Sequence, residues 1–326
     1  MASPSINVLV TGANGYIGNA VARAFVRAGY RTYGLVRQPK ALPALASAEI
    51  IPILGSPEDV SFLHSVSAEG IVFSIIVSTT TTEGVSDYIP HYNAIISLFR
   101  ALATTSNAAG IRPLVFFTSG CKDYGRTALA NSPGLVPHTE LTPLNPQPSL
   151  VNRASYAVKT FENKDLFDTV VLRPTHEEKK KGEWVVEEDP ETILHSVHVD
   201  DCGDAYVAIA QSKREVVANQ CYNISAREYE TLDQVLKALV KEYGIQGGLK
   251  YAKNEGKPGP RAKLFGWSQW VESEKLRRDT GWTDKRMIFS EGIKQYRVAY
   301  ESAVETGDEG LKKVLMKVAG RAASQK

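Results

Sequence analysis

The sequence predicts a doubly wound α/β domain on a parallel sheet, with a smaller C-terminal α/β lobe. Three observations predict it. Short β-rich runs alternate with helix-length segments through the first 120 residues; the first run ends in a glycine-rich turn that opens a helix; and 326 residues suffice to bury one large core.

In chain order the runs are INVLVTG, GNAVARAFVRAGY, RTYGLVR, IIPIL, IVFSIIV, YNAIISLFRALATTSNAAG and PLVFFTS. Strands alternating with helices of this length call for parallel pairing and helices on both sheet faces. In the first helix Ile17, Val21, Ala24, Phe25 and Ala28 recur at spacings of three and four, and Gly29 supplies a terminator. Residues 131–149 carry five prolines and little periodicity, so they read as a loop or lid. A helix is expected over 151–166, followed by the strand DTVVLRP. Lys179, Lys180 and Lys181 sit among five glutamates in HEEKKKGEWVVEEDP, which reads as a solvated turn rather than a phosphate site. HSVHVDDCGDAYVAIAQ reads as strand, turn and helix, with Asp200 or Asp201 as its N-cap. The remainder, including TLDQVLKALVKEYG and GIKQYRVAYESAVE, is mainly amphipathic helix. The expected division is a nucleotide domain over 1–172, completed by roughly 194–224, and a substrate lobe over 173–193 and 225–326.

Composition narrows the partners. With 43% hydrophobic and 23% charged residues and a formal charge of +2, nothing favours nucleic acid or an anionic membrane, and a small-molecule substrate is the expectation. The opening MASPSINVLVTG lacks a basic then apolar leader, and no run approaches the roughly 18 apolar residues of a spanning helix. A cytoplasmic monomer or homodimer is expected. Cys121, Cys202 and Cys221 are scattered without CxxC spacing, which argues against disulfides and zinc.

Residues 12–18, GANGYIG, place Gly12, Gly15 and Gly18 as GxxGxxG between an apolar strand and a helix. Glycine there permits a tight turn and lets backbone N–H groups approach a pyrophosphate, whose charge the helix N-terminus favours. The setting, more than the glycines alone, predicts dinucleotide binding. Asn14, Tyr16 and Ile17 lie in the same loop, and Ser78 follows the apolar run IVFSIIV; they complete the candidate cofactor set. No Asp or Glu precedes Glu49, so the acid that would accept from a ribose 2′-hydroxyl is missing. Arg37 stands there instead, with Lys40 nearby, and a guanidinium suits a 2′-phosphate. NADP is therefore expected over NAD.

TGANGYIG, the GLVR strand end, LVFFTSG followed by Tyr124 and Gly125, VVLRP, HSVHVDD and RRDTGW together resemble the extended short-chain dehydrogenase/reductase family. The similarity is to its NAD-dependent epimerase/dehydratase branch, which includes dihydroflavonol-reductase-like enzymes. The resemblance implies a Rossmann domain, a C-terminal substrate lobe and a Ser/Thr, Tyr and Lys catalytic group. In that group tyrosine is the acid/base, serine holds the substrate oxygen, and lysine binds the nicotinamide ribose and lowers the tyrosine pKa.

The candidates here are Ser119, Tyr156 and Lys159, all displaced from the family's frame. Counting back from Tyr124 and Gly125, the serine position is Gly120; counting back from Lys159, the tyrosine position is Ser155. Matching Glu162 to the family's later glutamate puts the pair on Ala154 and Val158 instead. On a helix an i+3 partner lies about 60° to one side and an i+4 partner about 40° to the other, so Tyr156 and Lys159 still share a face. A one-residue displacement nevertheless rotates the tyrosine by about 100°. Related chains also continue past VVLRPT with a longer closing segment, whereas His176 leads directly into EEKKKGEW: a shortened lid, or a sequence lacking part of it.

Three functions fit, the first of them the expected one and the others its alternatives. One is an NADP-dependent reductase of a small carbonyl compound, with Ser119, Tyr156 and Tyr124 as candidate donors and Lys159 on the ribose. Another is a dinucleotide-binding isomerase, dehydratase or cyclase without net redox. The third is a nucleotide-sensing protein without turnover.

Overall fold

The computed structural model describes residues 6–80, 88–175, 185–246, 248–252, 266–308 and 311. Its first half runs β1 (Asn7–Thr11), α1 (Tyr16–Arg27), β2 (Arg31–Val36), α2 (Leu42–Ser47), β3 (Ile51–Leu54), α3 (Leu63–Ala68), β4 (Ile75–Ser78), α4 (Tyr88–Ala108), β5 (Leu114–Thr118), α5 (Val151–Lys159) and β6 (Asp168–Pro174). Then come β7 (Val185–Val186), β8 (Ile193–Leu194), α6 (Val199–Gln211), α7 (Arg214–Val217), β9 (Gln220–Ile224), β10 (Glu230–Thr231), α8 (Leu232–Glu242), β11 (Lys250–Tyr251), α9 (Glu274–Thr280) and α10 (Ile293–Glu305). His176 and Lys179–Lys181 lie outside the described residues.

Seven strands form one sheet in the order β3-β2-β1-β4-β5-β6-β9, every neighbouring pair parallel. The chain winds outward from β1 to β3, then returns to β4 on the other side of β1. That reversal opens a crevice beyond the carboxyl ends of β1 and β4, where ligands of such sheets bind.

The two-residue period of the strands divides the core. Val8, Val10, Val77, Phe116 and Leu172 face Val21 and Phe25 of α1 and Tyr206 and Ile209 of α6. Leu9, Ile76, Val115, Phe117 and Val171 face Tyr92, Ile95, Phe99 and Leu102 of α4 and Ala157 of α5. Burying each such side chain stabilises by about 1.5–3 kcal/mol, so the two layers clamp the sheet rigidly beneath the crevice. Helix α1 ends at Arg27, and Gly29 follows at φ +83°, donating its N–H to Val26 O at 2.9 Å. Where α1 crosses α6, a Cβ on Gly203 would stand 2.7 Å from Ala20 O, so glycine there allows the close approach. Arg23–Asp200 at 2.7 Å and Arg27–Asp204 at 3.1 Å tie the same pair of helices.

The helix expected over 151–166 is α-helical only to Lys159; residues 160–163 tighten into a 3-10 turn, and the Thr160 carbonyl accepts from Asn163 Nδ2 and Thr169 Oγ1. The N-cap of α6 is His198, not Asp200 or Asp201. Its Nδ1 accepts from the Asp200 N–H at 3.2 Å. Asp201 instead turns inward, 1% exposed, and accepts from the N–H groups of Lys285 and Arg286 and from the Arg286 guanidinium. The reason is long-range: the 285–286 turn brings N–H donors that a buried carboxylate satisfies.

The C-terminal segments build two small sheets, β10 with β8 and β11 with β7, around Val186, Leu232 and Leu236. Residues 267–273 bind this lobe to the main sheet. Gln269 Nε2 donates to Cys121 O and Gly125 O, and Ser225 Oγ donates to Val271 O. His195 belongs to the same seam. Its Nδ1 accepts from the Val271 N–H at 3.2 Å, so the proton is on Nε2, which donates to Ala226 O at 2.8 Å. Cys121 and Cys202 are buried and Cys221 is half-buried, all as free thiols. No helix among the described residues is long and apolar enough to cross a membrane.

Candidate active site

The cofactor end of the crevice is built by the turn between β1 and α1. Gly12, at φ +71°, donates to Leu35 O at 3.1 Å, and its carbonyl accepts from the Gly15 N–H at 2.8 Å. Gly15 caps α1 in an extended conformation, with no side-chain cap and no acid in the first turn. The orphan N–H groups of that turn, and the positive end of the helix dipole, are left for a ligand. A Cβ on Gly18 would stand 2.3 Å from Gly12 O and 2.4 Å from Thr79 Oγ1, so only glycine closes the turn. Thr79 Oγ1 donates in turn to Thr11 O at 2.6 Å, locking the β4 end to the β1 end.

Asn14 is half-buried, Tyr16 is exposed, and Ile17 packs on the core beneath α1. Ser78 is buried at the end of β4, opposite Thr11 and Phe117. Arg37 directly follows β2, exposed and with no ion-pair partner among the described residues. The open helix end and the glycine turn fit a dinucleotide lying across the switch point, with the Arg37 guanidinium at the end of β2.

The catalytic candidates are distributed differently from the simple triad. Ser119, one residue past β5, donates its hydroxyl to Asp123 Oδ2 at 2.5 Å. Tyr156 stands on α5 with its ring against Tyr92 and Tyr88 of α4, at centroid separations of 4.9 and 6.5 Å. Lys159 is exposed and places Nζ 4.3 Å from the Tyr156 ring centroid. Tyr156 and Lys159 are thus brought together, while no hydrogen bond joins Ser119 to either among the described residues. The inner face of α5 is taken by Ala154 and Ala157, both buried, and Thr160 continues it into the following turn.

Beside Ser119 lies a charged cluster that the sequence reading did not single out. Asp123 has no solvent exposure, and Arg153 donates to its Oδ1 from Nε at 3.0 Å and from Nη2 at 2.6 Å. Arg173, from the end of β6, lies 3.5 Å from Oδ2. Arg173 also donates to the Tyr124 hydroxyl at 3.2 Å and to the Cys221 thiol, and Tyr124 donates to Asn223 Oδ1 at 2.8 Å. Burial pushes the Tyr124 phenol and the Cys221 thiol up, although Arg173 pulls both the other way. Both stay protonated at neutral pH, so Tyr124 is a poor base. The signal for this cluster was Arg173 in VVLRP: an arginine in an otherwise apolar strand has to meet a carboxylate somewhere.

The family described as NAD(P)H-binding matches residues 12–213. No curated protein matches the sequence. Among solved structures the chain is similar to dTDP-glucose 4,6-dehydratase of Bacillus anthracis in complex with NAD, at TM-score 0.67 and 18% identity, covering 92% of this chain and 98% of that one. It is also similar to UDP-glucose 4-epimerase of Thermotoga maritima with UDP-glucose, at TM-score 0.65 and 19% identity over 89% and 96% of the two chains. The Bordetella bronchiseptica enzyme WbmG in complex with NAD gives 0.66 and 16% over 91% and 94%. At such identities the likeness shows a shared fold.

Proposed function

This chain belongs to the NAD(P)H-binding family, and from that premise we propose that it holds NADP at the Gly12–Gly18 turn and transforms a small organic substrate beside Ser119 and Arg153. The choice of NADP rests on Arg37, which stands unpaired among the described residues where an acid would otherwise accept from the ribose. When bound, the dinucleotide supplies a nicotinamide able to take or give hydride.

One observation carries the reaction class: the Ser119 hydroxyl is committed to Asp123 at 2.5 Å. A carbonyl reductase needs that hydroxyl free for the substrate oxygen and a phenol beside it to exchange the proton. Here the hydroxyl serves a buried carboxylate, and the Tyr156 ring is engaged by Tyr88 and Tyr92. The reaction favoured is therefore isomerisation, dehydration or cyclisation without net hydride transfer, with the Arg153 guanidinium beside the substrate. A reductase is the second reading, favoured by the 4.3 Å approach of Lys159 to the Tyr156 ring.

The test is turnover of hydroxy and keto compounds in NADP⁺ alone and in NADPH alone, following product and NADPH absorbance together. Product formed in NADP⁺ with no absorbance change is expected. NADPH consumed mole for mole with product would establish the reductase, and failure of either cofactor to bind in calorimetry would remove the NADP assignment.

A further inference from the structure

A guanidinium carries five N–H hydrogens, and Arg153 spends two of them on Asp123 Oδ1, one from Nε and one from Nη2. The other three, two on Nη1 and the outer one on Nη2, have no acceptor among the described residues, and the side chain is 26% exposed. The guanidinium lies against Gly120. A Cβ built there would meet Nη2 at 3.3 Å and Cζ and Nη1 at 3.4 Å, so a side chain at 120 would press on it. The place where the family resemblance puts a serine side chain is thus flanked closely by a cation.

The charges around it do not balance. Asp123 is shared between Arg153 and Arg173, one negative charge between two positive ones. Glu140, the next carboxylate, accepts from the Asn223 N–H at 2.8 Å and is attracted to Lys275. One positive charge, half withdrawn from water, is left over on the side of the cluster that reaches solvent. The unused edge of Arg153 presents two parallel N–H vectors, the geometry that receives the two oxygens of a carboxylate.

We propose that Arg153 is a specificity residue whose free edge binds a carboxylate of the substrate, which makes the substrate a small organic acid. The proposal rests on the crevice being the substrate site, as argued above. A single carboxylate matches the single excess charge; a phosphate monoester would exceed it.

The experiment uses the full chain with nitrogen-15-labelled arginine, whose Arg153 Nε resonance is assigned by its loss in Arg153→Lys. NADPH affinity is measured first by fluorescence; sodium benzoate, sodium acetate, benzamide and inorganic phosphate are then titrated with and without NADPH. Both carboxylates should shift the resonance saturably, and benzoate should bind about tenfold or more tighter than benzamide. Arg153→Lys should keep wild-type NADPH affinity and lose protection by benzoate against thermal unfolding, because an ammonium keeps the charge and lacks the fork. Equal shifts from benzoate and benzamide, no shift from either carboxylate, or tighter binding of phosphate would overturn the proposal. So would weakened NADPH binding in Arg153→Lys, which would assign the residue to the cofactor. Failure of NADPH to bind wild type would sink the cofactor reading alone, since the carboxylate shifts are also read without it.

Discussion

Ser119 donates to Asp123 Oδ2 at 2.5 Å, and this bond joins the carboxyl end of β5 to a carboxylate with no solvent exposure. A buried carboxylate is costly unless its lone pairs and charge are met; Asp123 accepts from Ser119 and Arg153, and Arg173 stands 3.5 Å away as a second cation. The serine resembles a catalytic group by its place after LVFFT, and its hydroxyl proton is held by this buried carboxylate.

Ser119→Ala should accordingly act on stability first. Losing a donor to a buried charged acceptor costs about 1–3 kcal/mol, read as a lower urea midpoint, with NADPH affinity within about twofold of wild type. Asp123→Ala should cost more, about 3–5 kcal/mol, because it strands Arg173 at 3% exposure. Unchanged unfolding of Ser119→Ala with abolished turnover would return the hydroxyl to the substrate.

Arg37→Ala should erase the preference for NADPH over NADH. A guanidinium on a 2′-phosphate contributes about 1.5–3 kcal/mol, so calorimetry should show NADPH affinity falling roughly 10- to 100-fold while NADH is almost unaffected. Equal wild-type affinities for the two would remove the assignment.

Gly18→Ala and Gly29→Ala separate two uses of glycine. At Gly18 the added methyl meets Gly12 O and Thr79 Oγ1 at 2.3 and 2.4 Å, so the turn must open and cofactor binding should be lost. At Gly29 nothing lies within 4 Å, and the cost is only the left-handed backbone, about 1–2 kcal/mol, with binding intact. Thermal shift with and without NADPH reads both.

Tyr156→Phe keeps the ring against Tyr88 and Tyr92 and removes only a hydroxyl. Without a part in proton transfer, turnover should fall less than about tenfold, whereas loss of a positioned acid/base costs about 100-fold or more. Single-turnover rates of both proteins at saturating cofactor decide it.

What was legible in the sequence was whatever depends on neighbours along the chain. The alternation of INVLVTG, RTYGLVR and PLVFFTS with helical segments carries the parallel, doubly wound sheet, because right-handed crossovers leave few alternatives. The glycine turn was legible because Gly12, Gly15 and Gly18 act within one loop. The Asp123 cluster was not: its members come from residues 119–124, 153, 173 and 223, and their meeting depends on how β5, β6 and β9 align. The α6 N-cap was misjudged for a related reason, since Asp201 was drawn inward by a turn 84 residues away.

His195 makes the seam between the sheet and the C-terminal lobe sensitive to acid. It is 7% exposed, and burial holds its pKa down at about 4, against an ordinary value of 6.5. The neutral ring is required by chemistry: Nδ1 must accept from the Val271 N–H while Nε2 donates to Ala226 O. The unfolded chain therefore binds a proton at a pH where the folded chain does not, so this contribution is complete above about pH 6.5 and is lost as pH falls towards about 4. Each pH unit of that gap is worth about 1.4 kcal/mol, giving a total on the order of 3 kcal/mol. His195→Gln cannot take up this proton, and although it costs stability at pH 7 its urea midpoint should decline less than that of wild type between pH 7 and 4. Parallel declines in the two proteins would show that the acid sensitivity comes from groups other than His195.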